Sequence, residues 1–163
     1  MKVTMGGNPV TLEGTLPAVG SRIPAFTVTA ADLSGVSQSE MKGKTVFLTV
    51  PSVDTPVCDT EVRRFNQEAA ALDGVTVNVI SMDLPFAQAR WCGAAGIDAV
   101  KLYSDYNGQS FGKAFGVLIK ELGLLARAAF VADADGIIRY VQVVPEVTNE
   151  PNYDEILAAV KNL

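Results

Sequence analysis

The stretch Thr45 to Cys58, Thr-Val-Phe-Leu-Thr-Val-Pro-Ser-Val-Asp-Thr-Pro-Val-Cys, joins an apolar segment to a cysteine and decides the fold. Thr45 to Val50 is short, β-branched and mostly apolar, which is typical of a strand covered on both faces. Thr55 is a suitable N-cap and Pro56 fits the first helical position, where a missing N–H costs nothing. The pattern predicts a helix that begins at about Pro56 and contains Cys58 in its first turn.

The segment that follows completes a strand, helix and strand unit. Asp73-Gly74 ends the predicted helix, and Val75 to Ile80 is a second apolar strand, so the spacing is that of a βαβ unit with a parallel sheet. The alternation continues with a helix that starts at Pro85 and runs from Phe86 to about Gly93. A strand around Val100 to Tyr103 and a helix from about Ser110 to Phe115 come next.

The two ends of the chain have a different character. Val3 to Glu13 alternates around Gly6-Gly7-Asn8, which predicts an N-terminal β-hairpin. Leu124 to Val131 and Ile137 to Val144 flank the turn sequence Asp133-Ala-Asp-Gly136, so we expect an antiparallel hairpin there. A short strand at Phe26 to Thr29 and an amphipathic helix at Tyr153 to Asn162 complete an α/β fold with a mixed sheet.

Length and charge limit the classes of protein that the chain can belong to. At 163 residues it is predicted to be one domain, residues 1–163. The net charge of −5 argues against nucleic acid and anionic membranes as main partners. The N-terminus has no apolar core of signal-peptide length and no stretch approaches a membrane span, so we expect a cytoplasmic protein.

The chain contains no histidine and two cysteines. This composition excludes Ser-His-Asp and Cys-His catalysis, and it leaves no ligand set for a structural zinc ion. No glycine-rich nucleotide-binding loop is present either. We therefore expect no metal and no cofactor, and the two cysteines remain as the distinctive reactive groups.

Cys58 permits two interpretations. The backbone N–H groups and the positive end of the helix dipole favour its thiolate, the reactive form. Asp59 and Glu61 oppose this effect, so a reactive thiolate would need a cation from elsewhere in the fold. The alternative is that Cys58 is a small buried hydrophobe, because it shares one apolar helical face with Val62 and Phe65.

Cys92 and Arg127 are equally open to two interpretations. Cys92 lies 34 residues after Cys58 on another predicted helix, so no Cys-x-x-Cys dithiol exists, and it is either an idle thiol or half of a transient pair. Arg127 interrupts an apolar run. It either reaches solvent at a strand end or supplies the cation that Cys58 lacks.

Several motifs together resemble one known family. Pro51-x-x-x-Thr55-x-x-Cys58 resembles the active-site motif of the peroxiredoxins. The fuller Pro51-Ser-Val-Asp-Thr-Pro-Val-Cys58, with Asp83-Leu-Pro-Phe-Ala-Gln88 and Trp91-Cys92-Gly93, is similar to the bacterial thiol peroxidase subfamily. The likeness runs nearly end to end, although the segment from Gly116 to Arg127 is shorter than is usual there and Trp91 replaces a common phenylalanine.

The resemblance implies a thioredoxin-like fold and the reduction of peroxides by an atypical two-cysteine enzyme. By motif position, Cys58 is the peroxidatic cysteine and Cys92 is the resolving cysteine. Thr55 is expected to hydrogen-bond the peroxide and the thiolate, Arg127 to stabilise both, and Pro51 to shield the pocket from water. The implied substrates are hydrogen peroxide and alkyl or lipid hydroperoxides, with thioredoxin as the reductant of a homodimer.

A second class of function uses the same chemistry. A peroxide sensor or redox-dependent interaction module would oxidise the same two cysteines and pass the change to a partner protein. Kinetics separates the two classes, because an enzyme turns over many peroxide molecules per chain when a reductant is present. A thioredoxin-fold binding domain with inert cysteines would instead show slow alkylation of Cys58 at neutral pH.

Overall fold

A computed structural model describes residues 1–163. Its secondary structure consists of twelve strands, four α-helices and one 3-10 turn at Gln38–Glu40. The strands are, in chain order, β1 (Val3–Met5), β2 (Asn8–Val10), β3 (Leu12–Glu13), β4 (Thr27–Thr29), β5 (Gly35–Ser37), β6 (Lys44–Thr49), β7 (Val75–Ser81), β8 (Lys101–Ser104), β9 (Leu118–Ile119), β10 (Leu124–Leu125), β11 (Ala128–Ala132) and β12 (Ile138–Val143). The helices are α1 (Pro56–Ala70), α2 (Pro85–Ala95), α3 (Ser110–Ala114) and α4 (Tyr153–Lys161).

The central layer is a seven-stranded mixed sheet in the order β12-β11-β6-β7-β8-β4-β5. Strands β6, β7 and β8 are parallel, which confirms the βαβ unit predicted from the apolar runs on either side of α1. The pairs on both flanks of this parallel core are antiparallel. The sheet is therefore mixed, as the sequence predicts.

The two faces of the sheet are covered by different elements. One face packs against α1 and α4, whose buried side chains include Val62, Phe65 and Ile156. The other face packs against α3 and an aromatic cluster, in which the Phe111 and Phe115 rings are stacked with their centroids 4.0 Å apart. Because both faces are buried, the central strands are apolar runs rather than alternating ones.

The N-terminal hairpin is confirmed, with shorter strands than predicted. Strands β1 and β2 pair around Gly6 and Gly7, both of which have positive φ angles of 60° and 83°. A tight turn of this kind requires such angles, which glycine adopts without a steric penalty. Leu12–Glu13 leaves the hairpin and pairs with β9 in a separate three-stranded sheet.

The prediction of one continuous strand from Leu124 to Val131 is wrong. Leu124–Leu125 pairs with β9, and only Ala128–Ala132 enters the central sheet. The interruption falls at Ala126 and Arg127, where the Ala126 carbonyl accepts a hydrogen bond from Thr49 Oγ1 at 2.7 Å. The Arg127 carbonyl still accepts a hydrogen bond from the Val144 N–H at 2.9 Å, so Arg127 lies at the edge of the β11–β12 ladder. The hairpin of β11 and β12 is antiparallel, as predicted.

Candidate active site

The first turn of α1 is built as the sequence predicts. Thr55 is the N-cap in an extended conformation, and its hydroxyl oxygen accepts a hydrogen bond from the Cys58 backbone N–H at 3.3 Å. Pro56 occupies the first position of the helix. The loop before it is fixed by Asp83, whose carboxylate accepts hydrogen bonds from Ser52 Oγ at 2.7 Å and from the Val53 N–H at 2.9 Å. These contacts hold Cys58 at the helix N-terminus.

Cys58 is completely buried among the apolar side chains of α1, the sheet and α4. In that respect the structure agrees with the interpretation of Cys58 as a core residue. Its sulfur also contacts a cation, because Arg127 Nη2 lies 3.3 Å from Cys58 Sγ. The two interpretations of the sequence are thus not exclusive: one cysteine is both packed in the core and paired with a guanidinium.

Arg127 does not reach solvent, so that alternative is wrong. Only 1% of its surface is exposed. Its Nη1 lies 2.5 Å from Glu61 Oε2, and its Nε donates to the Val147 carbonyl at 2.9 Å. Burial acts to lower the pKa of Arg127, but the neighbouring Glu61 and Cys58 outweigh it and hold the pKa above its ordinary value. The guanidinium is therefore a fixed positive charge beside the sulfur.

Glu61 is the site residue that sequence reasoning missed. The sequence suggested only a charge that opposes the thiolate, whereas the structure shows a fully buried carboxyl group in contact with Arg127. Its second oxygen, Oε1, has no hydrogen-bond partner. Burial raises the pKa of Glu61 to about 7, against the lowering effect of Arg127. The available signal was its position three residues after Cys58, which places both on the same helical face.

A cavity of about 260 Å³ opens beside this cluster. The residues that line it come from the active-site loop, from Arg127 and from two more distant segments: Met5, Pro51, Thr55, Pro56, Val57, Arg127, Val147 and Thr148. Cys58 does not line the cavity, but Thr55 and Arg127 both line it and both contact Cys58. A small molecule in the cavity would therefore lie beside two residues that contact Cys58, Thr55 at its backbone N–H and Arg127 at its sulfur. Pro51, Thr55 and Arg127 are thus brought together with Cys58.

Cys92 stands apart from this cluster. It lies near the C-terminal end of α2 and is half-buried, and both cysteines are free thiols. Burial raises the pKa of Cys92 above its ordinary value, which favours the protonated thiol. Its neighbour Trp91 packs against the same apolar cluster as Cys58 and lies 5.7 Å from the Arg63 guanidinium of α1. The two cysteines belong to adjacent helices, and the structure leaves them unbonded.

The mixed sheet, the N-terminal hairpin and the buried cysteine–arginine contact define a thioredoxin-like protein of the peroxiredoxin class. The family model described as Redoxin matches residues 18–157, and the chain belongs to that family. A thiol peroxidase of Bacillus subtilis is 53% identical over 163 residues, covering 99% of this chain and 98% of the relative. One of Clostridium acetobutylicum is 52% identical over 161 residues, covering 99% and 98%. The predicted resemblance to the thiol peroxidase subfamily is confirmed.

Solved structures agree with this assignment. A peroxiredoxin-like protein from Aquifex aeolicus is 46% identical and superimposes with a TM-score of 0.90, covering 99% of this chain and 96% of that one. A thiol peroxidase from Chromobacterium violaceum shares only 21% identity but also has a TM-score of 0.90, covering 99% and 96%, which shows the common fold. The predicted thioredoxin-like fold is therefore confirmed. None of the four α-helices combines the length and apolar character needed to cross a membrane.

Proposed function

We propose that the protein is a thiol-dependent peroxidase in which Cys58 attacks the peroxide. The observation that carries this proposal is the 3.3 Å contact between Arg127 Nη2 and Cys58 Sγ beside a cavity that Thr55 also lines. A fixed guanidinium stabilises the thiolate and also the negative charge that develops on the departing oxygen. Thr55 is suited to hydrogen-bond the peroxide, and Pro51 covers the cavity with an apolar ring.

The first step transfers one peroxide oxygen to sulfur. The Cys58 thiolate donates an electron pair to the nearer oxygen, the O–O bond breaks, and the leaving oxygen departs as hydroxide or alkoxide and takes up a proton. Sulfur is oxidised to the sulfenic acid, and the peroxide is reduced to water or an alcohol. Substrates of this reaction include hydrogen peroxide and alkyl or lipid hydroperoxides.

Glu61 sets how much of the Arg127 charge is available to the thiolate. One guanidinium faces two groups that can carry negative charge, Glu61 and Cys58. Since burial raises the pKa of Glu61 to about 7, its carboxyl group is largely neutral below that pH. In that state the carboxyl group no longer competes for the positive charge of Arg127, and its carbonyl oxygen still accepts the hydrogen bond from Arg127 Nη1.

The second step forms an intramolecular disulfide. The Cys92 sulfur attacks the Cys58 sulfenic sulfur, the S–O bond breaks, and the oxygen leaves as water. Because Cys58 is fully buried in α1 and Cys92 lies in α2, disulfide geometry requires local unwinding of helix ends. Exposure of Cys92 also removes the burial that raises its pKa, so its thiolate forms more easily in the open state.

Recycling completes the cycle. A thioredoxin dithiol reduces the Cys58–Cys92 disulfide by thiol–disulfide exchange and restores both thiols. The proposal further includes one domain over residues 1–163, a homodimer and a cytoplasmic location, where a reducing environment keeps both cysteines free between turnovers.

Steady-state turnover tests the proposal. Reduced protein is supplied with hydrogen peroxide, thioredoxin, thioredoxin reductase and NADPH, and NADPH consumption is followed. Many peroxide molecules should be reduced per chain, and the Cys58→Ser variant should lose this activity. A single oxidation without turnover would favour the sensor. Unchanged recycling by thioredoxin in a Cys92→Ser variant would contradict the role of Cys92.

A further inference from the structure

The cavity beside Cys58 has a wall that comes from the far N-terminus of the chain. Met5, the last residue of β1, lines the cavity together with the active-site loop and is half-buried. Val147 and Thr148 also line it. Thr55 and Arg127 line the cavity as well, but nearly all of its lining surface is apolar, and Met5 is a flexible apolar side chain among the residues that form it.

One carboxylate fastens the N-terminal hairpin to that wall. Glu146 accepts hydrogen bonds from both turn glycines, from the Gly6 N–H at 3.1 Å and from the Gly7 N–H at 2.7 Å. It also accepts from the hydroxyl of Thr4 at 2.9 Å, and from the N–H and the hydroxyl of Thr148 at 3.0 and 2.7 Å. Five donors, from the hairpin and from Thr148, thus meet at one side chain. The hydrogen bonds from Thr148, Gly7 and Thr4 lower the pKa of Glu146 to about 2.

The backbone of the hairpin is held independently of this carboxylate. The Thr4 N–H donates to the Pro145 carbonyl, and the Val147 N–H donates to the Thr4 carbonyl, both at 2.8 Å. Val3 is buried in the core. Loss of the Glu146 charge should therefore loosen the turn and Met5 while the root of the hairpin stays in place.

We propose that Met5 determines selectivity for peroxides with a large apolar substituent, and that Glu146 is the positioning residue that holds Met5 at the cavity. Hydrogen peroxide has no apolar part, whereas an alkyl substituent must be accommodated by the apolar lining to which Met5 contributes. Loss of an apolar contact in such a pocket changes discrimination by about tenfold. This inference rests on the proposed peroxidase function.

The test is the ratio of kcat/KM for cumene hydroperoxide to kcat/KM for hydrogen peroxide. We expect Met5→Ala to lower this ratio about tenfold relative to the unmodified protein. Glu146→Gln should lower it in the same direction, because Gly6 and Gly7 donate to different carboxylate oxygens and the glutamine NH₂ group can accept from neither. The double variant should be no less selective than Met5→Ala, since both changes act through one contact.

Glu121→Gln is the matched control. Glu121 also accepts from the N-terminal segment, with both oxygens 2.9 Å from the Thr11 N–H, but it does not line the cavity. Its variant should keep the ratio of the unmodified protein. A ratio within twofold of that value in Met5→Ala or Glu146→Gln, or an equal fall in Glu121→Gln, would overturn the inference. Absence of turnover with both peroxides in the unmodified protein would instead refute the proposed function, and with it the inference.

Discussion

Glu61 provides a sharp test of the electrostatics of the site, because burial and Arg127 shift its pKa in opposite directions. Burial disfavours its charged form, and Arg127 favours it. The net result is a pKa of about 7 in the folded protein against an ordinary value of 4.5. At a pH between these two pKa values, Glu61 is protonated in the folded protein and ionised in the unfolded chain.

The sign of the effect on stability follows from that difference. A carboxyl group whose folded pKa is raised contributes fully below its unfolded pKa, and the contribution is lost as the pH rises through its folded pKa. A difference of about 2.5 between the two pKa values corresponds to about 3 kcal/mol. We expect the free energy of unfolding of the reduced protein to fall by this amount between pH 4 and pH 8 because of Glu61.

Urea unfolding of the reduced protein at both pH values measures this effect. The matched variant is Glu61→Gln, which keeps an oxygen for Arg127 but cannot ionise. The fall in stability from pH 4 to pH 8 should be about 3 kcal/mol smaller in the variant, since all other titrating groups are common to both proteins. An equal pH dependence, or a larger fall in the variant, would mean that Arg127 keeps Glu61 ionised and would refute the reasoning.

Substitutions at three further positions address the geometry of the site. Arg127→Lys should slow the reaction of Cys58 with peroxide at least about tenfold, because one ammonium nitrogen cannot replace the contacts of three guanidinium nitrogens. Thr55→Val should slow it by a similar factor and reduce stability by about 1 kcal/mol through loss of the N-cap, whereas Thr55→Ser should retain both properties. Asn66→Ala should speed disulfide formation after oxidation. Asn66 Oδ1 accepts hydrogen bonds from three consecutive backbone N–H groups, residues 98–100, that follow α2, and their loss should ease the unwinding that brings Cys92 to Cys58. The first two are checked by competition kinetics and urea unfolding, and the third by Trp91 fluorescence after peroxide addition. A rate equal to that of the unmodified protein in Arg127→Lys, Thr55→Val or Asn66→Ala would contradict the corresponding assignment.

The local part of the site could be predicted from the sequence. Thr55, Pro56 and Cys58 are neighbours in the chain, and capping preferences alone place the cysteine in the first turn of α1. The apolar runs on either side predict the parallel pair of β6 and β7. Hydrophobic periodicity and turn signals thus define most of the central sheet.

The charge cluster could not be derived from local pattern alone. Arg127 follows Cys58 by 69 positions, and only the fold brings its guanidinium to the sulfur. The run from Leu124 to Val131 reads as one strand because its apolar character does not reveal that Ala126 changes partner. Glu61 reads as a solvated acid, since a lone carboxyl group is buried only where a distant cation accompanies it.

The most direct test of the central claim is a single-turnover experiment on the reduced protein with one equivalent of hydrogen peroxide, followed by peptide mass mapping. The account predicts a Cys58–Cys92 disulfide in the unmodified protein and a Cys58 sulfenic acid, trapped by dimedone, in Cys92→Ser. The Cys58→Ser variant should leave the peroxide unconsumed. Rapid consumption of peroxide by Cys58→Ser, or oxidation that begins at Cys92, would contradict the claim that Cys58 beside Arg127 is the attacking group.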